Sequence, residues 1–413
     1  MIYDPIRASR ELGLKRRFDW SGFVALAVLA VLSVVLFYKE SFVQFVDFNV
    51  HMNIAGEFDF ADPHSITSRL AYPMWHILVS ILFQLGLPLN WAAVAVSTVC
   101  KLVTYVLAWW IIDMFSARQV KSWLVSVLAF AAVITTGLWI RSVSYYVYNG
   151  VGSPNVWHNP TQLAVSAAML MVIPWLLHCW YEFERMLSEG KTNVMLPWWK
   201  VIVLAVLCMG SLACKPTFMQ ALLPAAFVMY LVELIRHNSE WRYFGQIVLA
   251  FVPAAGYFLL QYLYYTGVVV EFTSGVEFGV TARSAWLAVR NTLMMSACPL
   301  AALVACWRRG MFKDRAVVLG VLMTVFSVLE AMAFRETGMR EGHGNFNWAV
   351  YSSSFFMWVT MTGVFLRCFI SDVKNGMCLV RKAGYAVTLA LFAWHMVSGV
   401  YYIYHLLTHP SAF

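Results

Sequence analysis

An all-α, polytopic helical membrane protein is the fold class this sequence predicts, and three observations carry it. The 413 residues are 61% hydrophobic and 16% aromatic, with a mean hydropathy of +0.69, more apolar surface than a soluble chain of this length could hide. Long apolar runs recur from start to end, each able to cross about 30 Å of hydrocarbon as a helix. Ten-residue segments of alternating polarity, which a membrane β-barrel would need, do not occur. The chain therefore reads as one transmembrane domain, 1–413.

Residues 1–19 are polar and basic and are expected to be a cytoplasmic N-terminus. The apolar run opening at Trp20 continues VALAVLAVLSVVLF with no small-residue cleavage site after it, so it is expected to remain as the first span, 20–38. Residues 39–90 form a first extracytoplasmic loop. Within it YPMWHILVSILFQLG, Tyr72 to Gly86, is short for a span and carries Pro73 and His76 near its start. It is expected to be a juxtamembrane helix lying on or dipping into the outer face. Ten more spans are expected at 91–114, 121–141, 161–182, 197–214, 216–235, 243–265, 287–306, 315–334, 348–369 and 384–406, which makes about eleven. Basic residues choose this parity. Of 29 Lys and Arg, twenty fall on the cytoplasmic side, eight outside, and Lys101 within a span. Counting 72–86 as a span would carry fifteen of those twenty outside, against the bias of basic residues toward the cytoplasm. The C-terminus is then extracytoplasmic. The net charge of +8 belongs to topology, and no nucleic-acid partner is implied. The eight cysteines include no CxxC pair and read as small core residues, not as a disulfide framework or metal site.

This parity places the unusual polar segments on the outer side, while the cytoplasmic loops are short and basic. FVDFNVHMNIAGEFDFADPHSITSR (45–69) carries Asp47, His51, Glu57, Asp59 and Asp62. Asp47 follows closely on the first span in an apolar, aromatic context, where partial desolvation would suit a general base; the alternative is an acid that only solvates a loop. Asp59 and Asp62 offer oxygens for a divalent cation. Lys215 in CKPTF stands beside a helix N-terminus, a ready anion site, or else snorkels to the interface. FRETGMREGHGNFNW adds Arg335, Arg340, His343 and Asn345; guanidiniums at two helix ends suit a phosphate, unless they pair with Glu336 and Glu341. WHNPT brings Trp157, His158 and Asn159 to the opening of a span, where the aromatic is either a sugar platform or an interface anchor. Lys101 and Glu330, costly within spans, are expected to pair or to line a cavity.

In pattern rather than close identity, the chain over residues 20 to 235 resembles the GT-C glycosyltransferases. These have a first span, a large outer loop with an acid soon after it (here VDFNVH) and a juxtamembrane helix opened by a Pro-containing motif (here AYPMWHIL). WHNPT and KPTF are similar to segments of bacterial members in which a KPSF-like stretch recurs. The resemblance implies inverting transfer of a hexosyl or pentosyl unit from a polyprenyl-phosphate donor to a glycan, lipid or protein acceptor. It implies an outer face of the bacterial inner membrane, with the bilayer supplying the donor. It implies Asp47 as the base, with Glu57, Asp59 and Asp62 as fallback acids. Lys215, Arg335 and Arg340 would hold the donor phosphate, and His51, Trp157, His158, Asn159, His343 and Asn345 would line the substrate site. No cofactor is required, and a divalent cation at Asp59 and Asp62 is optional. The sequence departs from many relatives in lacking an adjacent Asp-Asp or Asp-Glu pair in the first loop. A lipid-diphosphate-dependent polymerase or ligase uses the same chemistry. A transporter or flippase is the rival of another class, but no internal repeat is seen.

Overall fold

The computed structural model describes residues 18–44, 46–68, 70–144, 151–265, 274–307, 310–338 and 345–409. Among them are fourteen α-helices and one two-stranded antiparallel sheet. Nine helices are long and apolar enough to cross a membrane, so the chain is an all-α integral membrane protein. In chain order the helices begin with α1 (Trp20–Phe42), α2 (Asp47–Gly56), α3 (Pro63–Thr67), α4 (Met74–Gln84), α5 (Leu89–Phe115), α6 (Ser122–Ile134) and α7 (Pro160–Ser188). They continue with α8 (Trp198–Cys214), α9 (Thr217–Arg236), α10 (Trp241–Tyr265), α11 (Ala282–Cys306), α12 (Arg315–Ala333), α13 (Trp348–Asn375) and α14 (Leu379–Thr408).

Every expected span is occupied by a helix, but α6 and α8 are shorter than the rest, at 13 and 17 residues. The first loop is more ordered than its polarity suggests. It folds into α2, α3 and α4, and α4 has only 11 residues, about 16 Å at 1.5 Å per residue. Asp19 caps α1 by accepting from the backbone N–H of Gly22 at 3.3 Å, and Asp314 caps α12 by accepting from Ala316 at 3.1 Å. The two most enclosed helices, α7 and α13, form the centre. Close approach there depends on missing side chains: a Cβ on Gly363 would lie 2.9 Å from the carbonyl oxygen of Ile112, as small residues allow between membrane helices.

The span expected over 121–141 is corrected by the structure. Its helix stops at Ile134 and residues 135–140 continue as non-helical backbone, buried as far as Leu138. Two threonines and a glycine (Thr135, Thr136, Gly137) weaken the helix at that point. The freed backbone groups are taken up by neighbours, as they must be inside a bundle. Asn155 Nδ2 donates to the carbonyls of Ala132 at 2.7 Å and Thr135 at 3.1 Å. The Thr136 carbonyl meets His395 Nδ1 at 2.7 Å, and the Trp139 N–H donates to Ser398 Oγ at 3.1 Å. A second irregularity faces the first: α11 loses helical geometry at Ser296. Pro299 has no N–H for the carbonyl of Met295, which accepts from Trp358 Nε1 instead at 2.8 Å. The neighbouring Met294 carbonyl accepts from Leu138 N–H at 2.9 Å.

One end of the bundle is tied by ion pairs. Arg315 reaches Glu184 on α7 at 2.8 Å and Glu233 on α9 at 3.1 Å. Arg367 on α13 holds Asp314 at 3.2 Å, and Arg381 on α14 holds Asp372 on α13 at 2.9 Å. The other end carries the polar segments. There Asn90 Nδ2 donates to the Ser41 carbonyl at 2.7 Å, and Lys39 Nζ to that of His409 at 2.9 Å. The small sheet of β1 (Ser274–Phe278) and β2 (Phe334–Gly338), strands separated in the chain by α11 and α12, is antiparallel, with Val276 opposite Glu336.

Candidate functional site

Three chain segments meet at that end. Asp47 is the first residue of α2, where a carboxylate complements the helix dipole. The side chain of Asn49 fixes the start by accepting from Val46 N–H at 2.9 Å. Phe48, Met52 and Ala55, spaced as one helical face, are buried beside Trp75 and Val79 of α4. Asp47 is left exposed, with His51 one turn further along the same face. The second segment, 151–160, is buried throughout. Gly152 has φ of +85° and lies against Tyr351, whose ring a Cβ would strike at 2.5 Å, so only glycine fits there. Asn159 caps α7 ahead of Pro160: its Oδ1 accepts from Gln162 N–H at 3.0 Å and from Thr161 Oγ1 at 2.9 Å. The third is Lys215, extended between α8 and α9 and 5% exposed.

Asn159 joins the other two. Its Nδ2 donates to Asp47 Oδ2 at 3.3 Å, and its Oδ1 accepts from Lys215 Nζ at 3.2 Å. A neutral amide thus stands between an anion and a cation. The Lys215 ammonium also lies 3.7 Å from the centre of the Trp348 ring, a cation–π contact. Burial pushes Lys215 down to about 7, partly opposed by the Asp47 carboxylate. Burial pushes His158 and His51 down to about 4, with Asp47 raising and Lys215 lowering both. The two imidazoles are therefore neutral at pH 7. Behind Lys215, Gln162 Nε2 donates to Ser352 Oγ at 3.1 Å and Thr217 Oγ1 to Gln162 Oε1 at 3.3 Å, tying α7, α9 and α13.

Lys215 also stands at the edge of a cavity of about 560 Å³, whose walls include Tyr72, Phe258, Phe326, Leu329 and Phe346. Its lining is mostly apolar. Three acceptor oxygens on its lining residues, Gln220 Oε1, Gln261 Oε1 and Glu330 Oε2, have no hydrogen-bond partner among the described residues. The Gln261 amide is fixed, since its Nε2 donates to the carbonyls of Ala71 and Leu212, both at 2.9 Å.

The remaining expected site residues fall elsewhere or play other parts. Phe334 and Glu336 line the cavity. Arg335, between them on β2, is not among the lining residues and pairs with Glu277 at 2.8 Å, as alternation along a strand requires. Arg335, expected with Lys215 at the donor phosphate, is thus placed in an ion pair on the small sheet and not on the wall that Lys215 borders. Arg340 and His343 lie outside the described residues. Asn345 lines the cavity and its Nδ2 donates to Glu336 Oε1 at 2.7 Å. Trp157 is buried, its ring near Phe37 and under Lys101 Nζ, 4.2 Å from the ring centre. His158 Nδ1 is 3.3 Å from the Tyr402 hydroxyl. Among the loop acids, Asp62 caps α3 through His64 N–H at 3.0 Å and Asp59 accepts from Ala61 N–H at 2.9 Å. Glu57 ends α2 and is exposed. Among the described residues no three His, Cys, Asp or Glu side chains converge as a metal site.

Sequence reasoning assigned no site role to Trp348 or Asn155, and left Lys101 without a partner. Lys101 Nζ donates to Asn155 Oδ1 at 3.3 Å, so the buried ammonium steadies the amide that caps the break in α6. A lysine inside an apolar run was the visible signal; its partner, fifty-four residues away, was not. Compared with protein-family models and with curated proteins, the sequence matches none.

Proposed function

We propose that this chain is an integral-membrane glycosyltransferase of GT-C type, moving a sugar from a polyprenyl-phosphate donor to an acceptor hydroxyl on the extracytoplasmic face. The observation that carries the reading is the Asp47–Asn159–Lys215 chain at the edge of an apolar cavity. An exposed carboxylate suits a proton acceptor, and a buried ammonium a few ångströms beyond it suits a phosphate. The cavity suits a prenyl chain, and the unpartnered oxygens of Gln220, Gln261 and Glu330 suit sugar hydroxyls, whose donors they lack.

In the reaction the acceptor oxygen attacks the anomeric carbon as the bond from that carbon to the phosphate oxygen breaks. The hydroxyl proton passes to Asp47, the polyprenyl phosphate leaves, and Lys215 meets the charge developing on its oxygen. Configuration inverts. The neutral amide of Asn159 keeps Lys215 from collapsing onto Asp47, so that each keeps its own task.

Purified protein in proteoliposomes, offered polyprenyl-phosphate hexoses and pentoses, provides the test. Asp47→Asn should lower transfer by about 10²- to 10⁴-fold, the worth of a general base, while donor binding persists. Transfer by the wild type to no acceptor from any such donor, or an Asp47→Asn variant with near-normal turnover, would overturn the assignment. A transporter for a lipid-linked or anionic substrate is the second reading, favoured by the interrupted helix after Ile134. It predicts movement of the intact substrate across the bilayer with no bond cleaved.

A further inference from the structure

His76 lies on α4, fully buried and packed edge-on against Trp75. Its Nε2 is 2.9 Å from Nδ1 of His51, and its Nδ1 is buried with no partner among the described residues. A hydrogen bond between two neutral imidazoles carries one proton, so it can be written in two ways. If His51 Nδ1–H donates, His76 must hold its own proton on Nδ1, as a buried donor with no acceptor, and both rings adopt the Nδ1–H tautomer that imidazole side chains disfavour. If His76 Nε2–H donates, both rings adopt the favoured Nε2–H tautomer, and the unpartnered Nδ1 of His76 is a bare lone pair, which an apolar wall tolerates better than an orphaned N–H.

We propose that His76 is a positioning residue that donates through Nε2–H to His51 Nδ1 and so fixes His51 as an Nε2–H donor beside Asp47. The full burial of His76 and the partial burial of His51 disfavour charge on either ring, consistent with a single shared proton. The consequence is chemical. The one ring nitrogen of His51 not engaged by His76 carries hydrogen, so His51 offers a hydrogen bond to an oxygen of the ligand, hydroxyl or phosphoryl, and cannot take a proton from it. Between His51 and Asp47, proton acceptance therefore falls to Asp47. This last step rests on the reading of Asp47 as a base; the tautomer does not.

The experiment is ¹⁵N NMR of histidine-labelled full-length protein in lipid nanodiscs at neutral pH without ligand, with His51→Gln used to assign the His51 signals. The wild type should show a pyridine-type Nδ1 and a pyrrole-type Nε2 for His51. His76→Phe should release it into a mixture of tautomers, and His76→Gln, whose side-chain amide can still donate, should restore the wild-type pattern. A pyrrole-type Nδ1 on wild-type His51 would overturn the proposal without any variant having to fold. So would a His51 pattern unchanged in His76→Phe. Because no donor or acceptor sugar is present, neither outcome depends on the transferase reading.

Discussion

Lys215 concentrates the electrostatics of the site in one side chain. It rests on the face of Trp348 and against Asn159, and burial holds it at about 7, so near neutral pH the empty site is part ammonium and part amine. An anion that needs the ammonium must therefore bring a proton with it above that value. By linkage its apparent affinity should be flat below about pH 7 and fall about tenfold per pH unit above it. At pH 8 an alkyl phosphate is already fully ionised, its second pKa being about 6. Calorimetry of decyl phosphate binding at pH 8 in two buffers of different ionisation heat should then show net proton uptake. Binding at pH 8 without uptake would mean that Lys215 does not hold the anion. Lys215 and Asp47 were legible because charges are few in an apolar chain, 12% of residues, and each stood out at a helix end. His76 and Asn155 were not, because a neutral side chain gains its role only from what it touches.

Helix α6 shows the same limit at the level of an element. Residues 121–141 score as one apolar run, since hydropathy records side chains and is blind to where backbone bonds go. The TTG at 135–137 was the only local sign of a break, and its partners come from distant stretches: Asn155, His395 and Ser398. The break is held by them and should fail with them. Asn155→Ala leaves two buried carbonyls without donors and frees the Lys101 ammonium, and should cost about 1–3 kcal/mol. Gly399→Ala puts a methyl 2.6 Å from the carbonyl oxygen of Ile134, an overpacking of similar size, about 1–3 kcal/mol. Thermal unfolding in detergent measures both. An Asn155→Ala midpoint equal to wild type would remove Asn155 from this role. By contrast α4 was readable in advance as a short helix of 11 residues, because length is a property the sequence states outright.

For the whole molecule the layout was the most legible level, because a bundle of alternating helices sorts its loops to two ends by parity alone. Which end faces the cytoplasm is still an expectation from the basic residues, and the chain carries its own reporter for it. Of the eight cysteines Cys378 is the exposed one, just ahead of α14 at the basic end. The backbone N–H of Arg381, and then its guanidinium, hold the thiol below its usual range, which favours reaction with a maleimide. A membrane-impermeant maleimide should spare Cys378 in intact cells and label it once they are permeabilised. Labelling of intact cells would reverse the topology.

The charged contacts at that same end, Arg315 to Glu184 and Glu233, Arg367 to Asp314 and Arg381 to Asp372, have a mechanical meaning. They rivet α7, α9, α12, α13 and α14 together, partly shielded from water, where such pairs resist separation best. At the opposite end the ties that cross the site are single hydrogen bonds, those of Asn159 to Asp47 and Lys215 among them, each contributing about 1–3 kcal/mol. A bundle fastened this way behaves like a clothes-peg: its stiffness lies at the sprung end, and small forces open the jaws. Spin labels at Asn53 and Val280, at the jaws, should give a broader distance distribution than labels at Ser188 and Lys374, at the rivets. Equal widths would show a bundle equally stiff along its length, and a bulky lipid would then have to reach the cavity past helices that do not yield.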